Sequence, residues 1–140
     1  MTTLERPARQ LEWVTATTVR ALHADGKLPV PSGPPKPGQR LPTIEEWLAL
    51  RWILAWERDT VVGVGAFRPI YDYHSGRDVH EIVLVRGSRR AVVDLTRRMI
   101  ENARSHGRPC IGAVDFRNLG MRNFLATEAY PVREMFEAFP

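Results

Sequence analysis

Cysteine is almost missing from this chain of 140 residues, and lysine and long apolar runs are scarce as well. The one cysteine, Cys110, cannot form an internal disulfide and falls in an apolar run. It reads as a small buried hydrophobe in a reducing compartment, and it has no neighbouring base in sequence to make it a nucleophile. His23, His74 and His106 show no metal-ligand spacing with it, so no metal site is expected. No stretch approaches the roughly 20 apolar residues of a membrane-spanning helix. Glu5, Arg6, Arg9, Glu12 and Arg20 interrupt every apolar segment that could serve as a signal peptide. A soluble, cytoplasmic protein with no membrane partner is expected. There are no internal repeats.

All but two of the twenty basic residues are arginine, Lys27 and Lys36 being the exceptions. The net charge of +4 favours anionic ligands without by itself arguing for nucleic acid. Arg90, Asp94, Arg97, Glu101 and Arg104 alternate in sign at helical spacing, the pattern of a solvated, self-neutralising face. No aromatic residue interleaves with them as a base-stacking platform requires, so a nucleic-acid partner is not expected.

The length fits a single domain over residues 1–140. Leu4 to Ala8 reads as a short strand. From Leu11, apolar residues at Val14, Ala16, Val19 and Leu22 predict a helix that Asp25-Gly26 stops. Residues 29–42 hold six prolines and two glycines, a loop either mobile or pinned by contacts. Thr43 and Glu46 form a capping box for a helix over Ile44 to Leu50. Trp52–Glu57 and Val61–Phe67 predict a hairpin, Asp78–Val85 a further strand, and Arg89–His106 an amphipathic helix capped by Gly107. Cys110–Val114 reads as a strand, Leu119–Ala129 as a helix, and Val132–Phe139 as a last strand. Hairpins followed by a strand-helix-strand crossover make an α/β fold with a mixed, mostly antiparallel sheet flanked by about four helices.

The most informative segment is the turn from strand to helix at Arg86-Gly87-Ser88. Arg86, Arg89 and Arg90 cluster where the helix dipole disfavours cations. Positive charge there fits an anion bound on the unpaired amides, with a phosphate-bearing ligand as the first expectation. The alternative is that these long side chains point into water.

The order of elements resembles the GCN5-related N-acetyltransferase (GNAT) fold over nearly the whole chain. Leu4-Glu5-Arg6-Pro7-Ala8 looks like the family's opening strand, and Val61-Val62-Gly63-Val64-Gly65 like the strand with a glycine after two apolar residues. The family's acyl-coenzyme A motif is Gln or Arg, two variable residues, Gly, one variable residue, then Gly or Ala. It is matched by Arg86, Gly87, Ser88, Arg89, Arg90 and Ala91, with Arg89 in place of the central glycine. Arg89 either turns its guanidinium to the phosphates or blocks the pocket. The resemblance implies an acetyl-CoA or other acyl-CoA cofactor held by this turn and by the backbone of Ile82 to Leu84. Asn118, in Asp115-Phe116-Arg117-Asn118, would position the pantetheine arm. Ala129-Tyr130 stands where the family has Gly-Phe.

The resemblance also implies a small-molecule or protein amine as acceptor. His80 and Glu81, on opposite faces of the central strand, are the candidate bases, although such residues are more often satisfied polar groups. The family's usual tyrosine acid is replaced by Phe124-Leu125, and its loss lowers the expected rate by about 10²-fold. A second, shorter resemblance is to GNAT-like proteins of tailed bacteriophages, some of them virion components. It rests on Ser88-Arg89, on Ala113-Val114-Asp115-Phe116-Arg117-Asn118, and on Met121 and Phe124-Leu125. It implies a binding or assembly module, with the proline-rich segment as the contact for a protein partner.

Overall fold

A computed structural model describes residues 10–28, 35, 37–112 and 119–127. Strand β1 (Gln10–Val14) leads into helix α1 (Ala16–Ala24), then helix α2 (Ile44–Leu48) and strands β2 (Arg51–Glu57), β3 (Thr60–Asp72) and β4 (Arg77–Gly87). Helix α3 (Arg89–Ser105), strand β5 (Cys110–Gly112) and helix α4 (Leu119–Thr127) follow. The five strands lie in the order β1-β2-β3-β4-β5, all antiparallel except β4 with β5. The α/β class and the mixed, mostly antiparallel sheet with four helices are as the sequence predicts. The expected strands over residues 4–8 and 132–139 lie outside the described residues, as does half of the proline-rich stretch.

One expectation is corrected. Leu11 to Val14 is strand, not the start of the first helix. Leu11 pairs with Ala55 and Trp13 with Ile53, and this cross-strand pairing overrides the helical spacing. The helix begins one residue after Thr15, whose hydroxyl accepts from the Thr18 amide. The capping box forms as expected: the Glu46 amide donates to Thr43 Oγ1 and the Thr43 amide to Glu46 Oε1. Arg40 Nη2 donates to Glu46 Oε2 at 2.9 Å. Those bonds hold the Glu46 carboxyl down at about 2.

The sheet separates two apolar clusters. Val19, Trp47, Trp52, Leu54, Val64, Ala66 and Leu84 lie on the α1–α2 side. Ile53, Ala55, Phe67, Ala91, Leu95 and Met99 lie on the α3 side. Ala66 faces Leu84 while Phe67 faces Ile82, so Val83 is an extra residue in β4. This bulge swaps the faces of the strand. Leu84 thereby joins the α1–α2 cluster, Ile82 packs against the α3 cluster, and Val83 is left exposed.

Candidate functional site

The turn from β4 into α3 is shaped by two close approaches. Gly87 has φ of 140°, and a Cβ there would collide with the Val62 carbonyl oxygen and Gly63 Cα. Beneath the first turn of α3, a Cβ on Gly63 would stand 2.8 Å from the Ala91 Cβ. Small residues at 63, 87 and 91 therefore let the helix start lie directly on β3.

Hydrogen bonding then sorts the amides of the turn. The Ser88 amide donates to the Val62 carbonyl at 2.9 Å, and the Ala91 amide to Ser88 Oγ at 3.3 Å. Val92 closes the first helical bond onto the Ser88 carbonyl. The amides of Arg89 and Arg90 keep no partner among the described residues. The side chains of Arg86, Arg89 and Arg90 are exposed, without an ion pair among the described residues. No acidic residue occupies the first turn of α3. Among the described residues, nothing compensates the cationic cluster.

Ile82 and Leu84, expected to offer backbone groups to a cofactor, flank the bulge at Val83. The bulge went unread in the sequence, because it exists only in the register of β4 against β3. Asn118 lies outside the described residues, as do Ala129 and Tyr130.

His80 and Glu81 point to opposite faces, about 20 Å down the strand from Gly87 at ~3.3 Å per residue. The structure therefore does not bring either of them to the basic turn. His80 is 3 % exposed, stacked on Phe67 with ring centroids 4.6 Å apart. Arg108 Nη1 stands 3.4 Å from its Nε2, and its Nδ1 is buried without a partner. Burial, reinforced by Arg108, His106 and Arg51, pushes its pKa below the ordinary histidine value. Glu81 is half-buried on the α1–α2 side and accepts from Arg68 Nε at 2.8 Å. Burial raises the Cys110 thiol to about 11, so it is protonated at neutral pH. In α4, Phe124 takes the Arg97 guanidinium 5.1 Å above its ring, which ties α4 to α3. Among the described residues, no cluster of His, Cys, Asp and Glu could hold a metal ion, and no helix is long and apolar enough to cross a membrane.

Solved structures match this architecture at low sequence identity. The aminoglycoside acetyltransferase AAC(6')-Iy, in complex with the bisubstrate analogue CoA-S-monomethyl-acetylneamine, superposes with a TM-score of 0.66 at 12% identity. The match covers 96% of this chain and 98% of that one. The chain has the GNAT fold. Two further structures share this GNAT fold. A ribosomal-protein-alanine N-acetyltransferase from Brucella melitensis biovar Abortus 2308 gives a TM-score of 0.62 at 13% identity, over 96% of this chain and 97% of that one. The aminoglycoside acetyltransferase meta-AAC0020 from an uncultured soil metagenomic sample, in complex with trehalose, gives 0.61 at 12% identity, over 95% of each chain. No protein-family model matches the sequence, and no curated protein matches it either.

Proposed function

We propose that this chain binds an acyl-coenzyme A and transfers the acyl group to an amine. The observation that carries this reading is the start of α3, where two amides and three arginines without a partner among the described residues converge at the end of a bulged strand. The pyrophosphate would sit on the amides of Arg89 and Arg90, with Arg86, Arg89 and Arg90 as counter-charge. Gly87, Ser88 and Ala91 shape this turn. The pantetheine arm would extend back along β4 to the backbone of Ile82 and Leu84, with Asn118 positioning it.

The chain's own residues then have limited work to do. A bound acyl-CoA would supply a thioester carbonyl to the amine, its carbon–sulfur bond would break on attack, and the departing thiolate would take its proton from solvent. The amine's surplus proton passes to a base directly or through water. Of the two candidates, Glu81 has the accessible carboxylate, and Arg68 orients it. His80 is walled in by Phe67 and Arg108. Rate would come mainly from holding the amine against the thioester.

The similar structures named above suggest where to look for the acceptor. Aminoglycosides and the amine of a protein alanine are the first classes to try. Calorimetry with acetyl-CoA should show binding that weakens as salt rises, and weakens further in Arg86→Ala; no heat at millimolar ligand overturns the reading. Free-thiol release with a panel of aminoglycosides, peptides and simple amines then tests transfer.

A second reading has one observation in its favour. Phe124 and Leu125 offer no hydroxyl where the GNAT family usually carries its acid. A retired enzyme that keeps cofactor binding and serves as a binding or assembly module would show background thiol release despite tight binding. In that case its protein partner would dock on the proline-rich 29–42 segment, and pull-down with that segment deleted would lose the partner.

A further inference from the structure

The opposite end of the sheet from the basic turn holds a cavity apart from the proposed cofactor turn. Its volume is about 770 Å³, within the ordinary range for small-molecule sites. It opens where the end of β1, the start of β2 and the last turn of α3 meet. Trp13, Arg51, Phe67, His80, His106 and Arg108 line it.

The lining is one-sided in charge. Every titratable group in it is basic, and no carboxylate faces it among the described residues. Arg51 is exposed and makes no ion pair among the described residues. Arg108 turns toward another basic group, His80 Nε2, at 3.4 Å. His80 itself is almost fully buried with Nδ1 unsatisfied, a costly arrangement in a native interior. His106 has its Nδ1 engaged at 2.8 Å with the Asn102 carbonyl, which fixes the ring at the rim. Two buried or half-open aromatic rings complete the wall. Trp13 is 40 % exposed, and its ring meets Phe67 edge-on at 5.8 Å. The cavity thus offers a flat apolar surface beside converging cations, with no carboxylate among the described residues to neutralise them.

We infer that this cavity is a second ligand site, which takes a small aromatic carboxylate with its ring against Trp13 and its carboxylate on Arg51 and Arg108. A carboxylate suits the planar guanidinium donors, and a flat ring covers the indole that water now wets. Inorganic phosphate would meet the cations but leave the Trp13 face uncovered. The site shares no residue with the α3 turn, and its one residue in common with the acyl-transfer reading is His80, the base candidate walled in by Phe67 and Arg108.

Benzoate is the probe, with benzamide as its neutral counterpart, titrated into the full chain and followed by nuclear magnetic resonance. Benzoate should give saturable shifts at the Trp13 indole and at His106, with a dissociation constant on the order of millimolar for so small a ligand. Benzamide should bind about tenfold more weakly, because the charge-assisted contacts are lost. Arg51→Gln, at an exposed position that leaves the fold intact, should weaken benzoate by a similar factor, and Arg108→Gln should do the same. Arg86→Ala should leave benzoate binding unchanged. Equal binding of benzamide, shifts spread over arginines across the surface, or inorganic phosphate competing as well as benzoate would each overturn the site.

Discussion

Gly63 lies so close beneath Ala91 that a methyl group on the glycine would stand 2.8 Å from the alanine Cβ. The Leu95 Cδ1 and the Arg86 carbonyl oxygen would be within 3.0 Å and 3.2 Å of the same methyl. Two of these three neighbours are backbone or a Cβ, so no rotamer change relieves the contact. Gly63→Ala must push the start of α3 off the sheet. The expected cost is about 1–3 kcal/mol in a urea melt, the usual range for overpacking a filled core. The same displacement should weaken acetyl-CoA binding, because the Arg89 and Arg90 amides move with the helix. A variant as stable as the wild type would show that the close approach is not fixed.

Arg89 occupies the position where the GNAT motif has glycine. In the structure its side chain is exposed and makes no ion pair among the described residues, so it does not fill the turn. Arg89→Gly is therefore expected to lower acetyl-CoA affinity about tenfold by removing one charge-assisted contact. Calorimetry on the two proteins decides it. Tighter binding in the variant would identify Arg89 as a plug instead. An unchanged dissociation constant would mean that the guanidinium serves only the solvent.

What the sequence made legible was local, and what it hid was relational. The α3 helix and its Gly107 stop follow from spacing and capping chemistry within one segment, and the structure adds Ser88 as its N-cap. The first strand was missed, although Gln10-Leu11-Glu12-Trp13 alternates polar and apolar in the period of a strand. Val14 and Val19 also fit a helical stripe, and only the pairing of β1 with β2 separates the two periods. Val83 was hidden more deeply, since a bulge is a mismatch between two strands and leaves no mark in one of them. His80 was read as a candidate base because its residue type suits proton transfer. Its burial between Phe67 and Arg108 depends on contacts with β3 and the β5 entry that no spacing encodes.

That burial gives His80 a signature in stability against pH. Desolvation, then Arg108, His106 and Arg51, lowers its folded-state pKa below the ordinary value near 6.5. The unfolded chain therefore binds a proton at a pH where the folded chain does not. Under proton linkage, the stabilising contribution is fully present above about pH 6.5 and is lost as pH falls from there toward the depressed folded value, at up to about 1.4 kcal/mol per pH unit. Each neighbour that shifts this group is itself basic, so protonation would add a further positive charge to an uncompensated cluster. His80→Gln retains an acceptor for the Arg108 guanidinium but cannot titrate. Urea melts at about pH 7.5 and about pH 5.5 should show wild type losing more stability on acidification than this variant does. His23 and His74 are exposed and present in both proteins, so their effects cancel in the comparison. Parallel losses in the two proteins would mean that His80 accepts its proton in the folded state without penalty, and that the cationic lining does not bear on it.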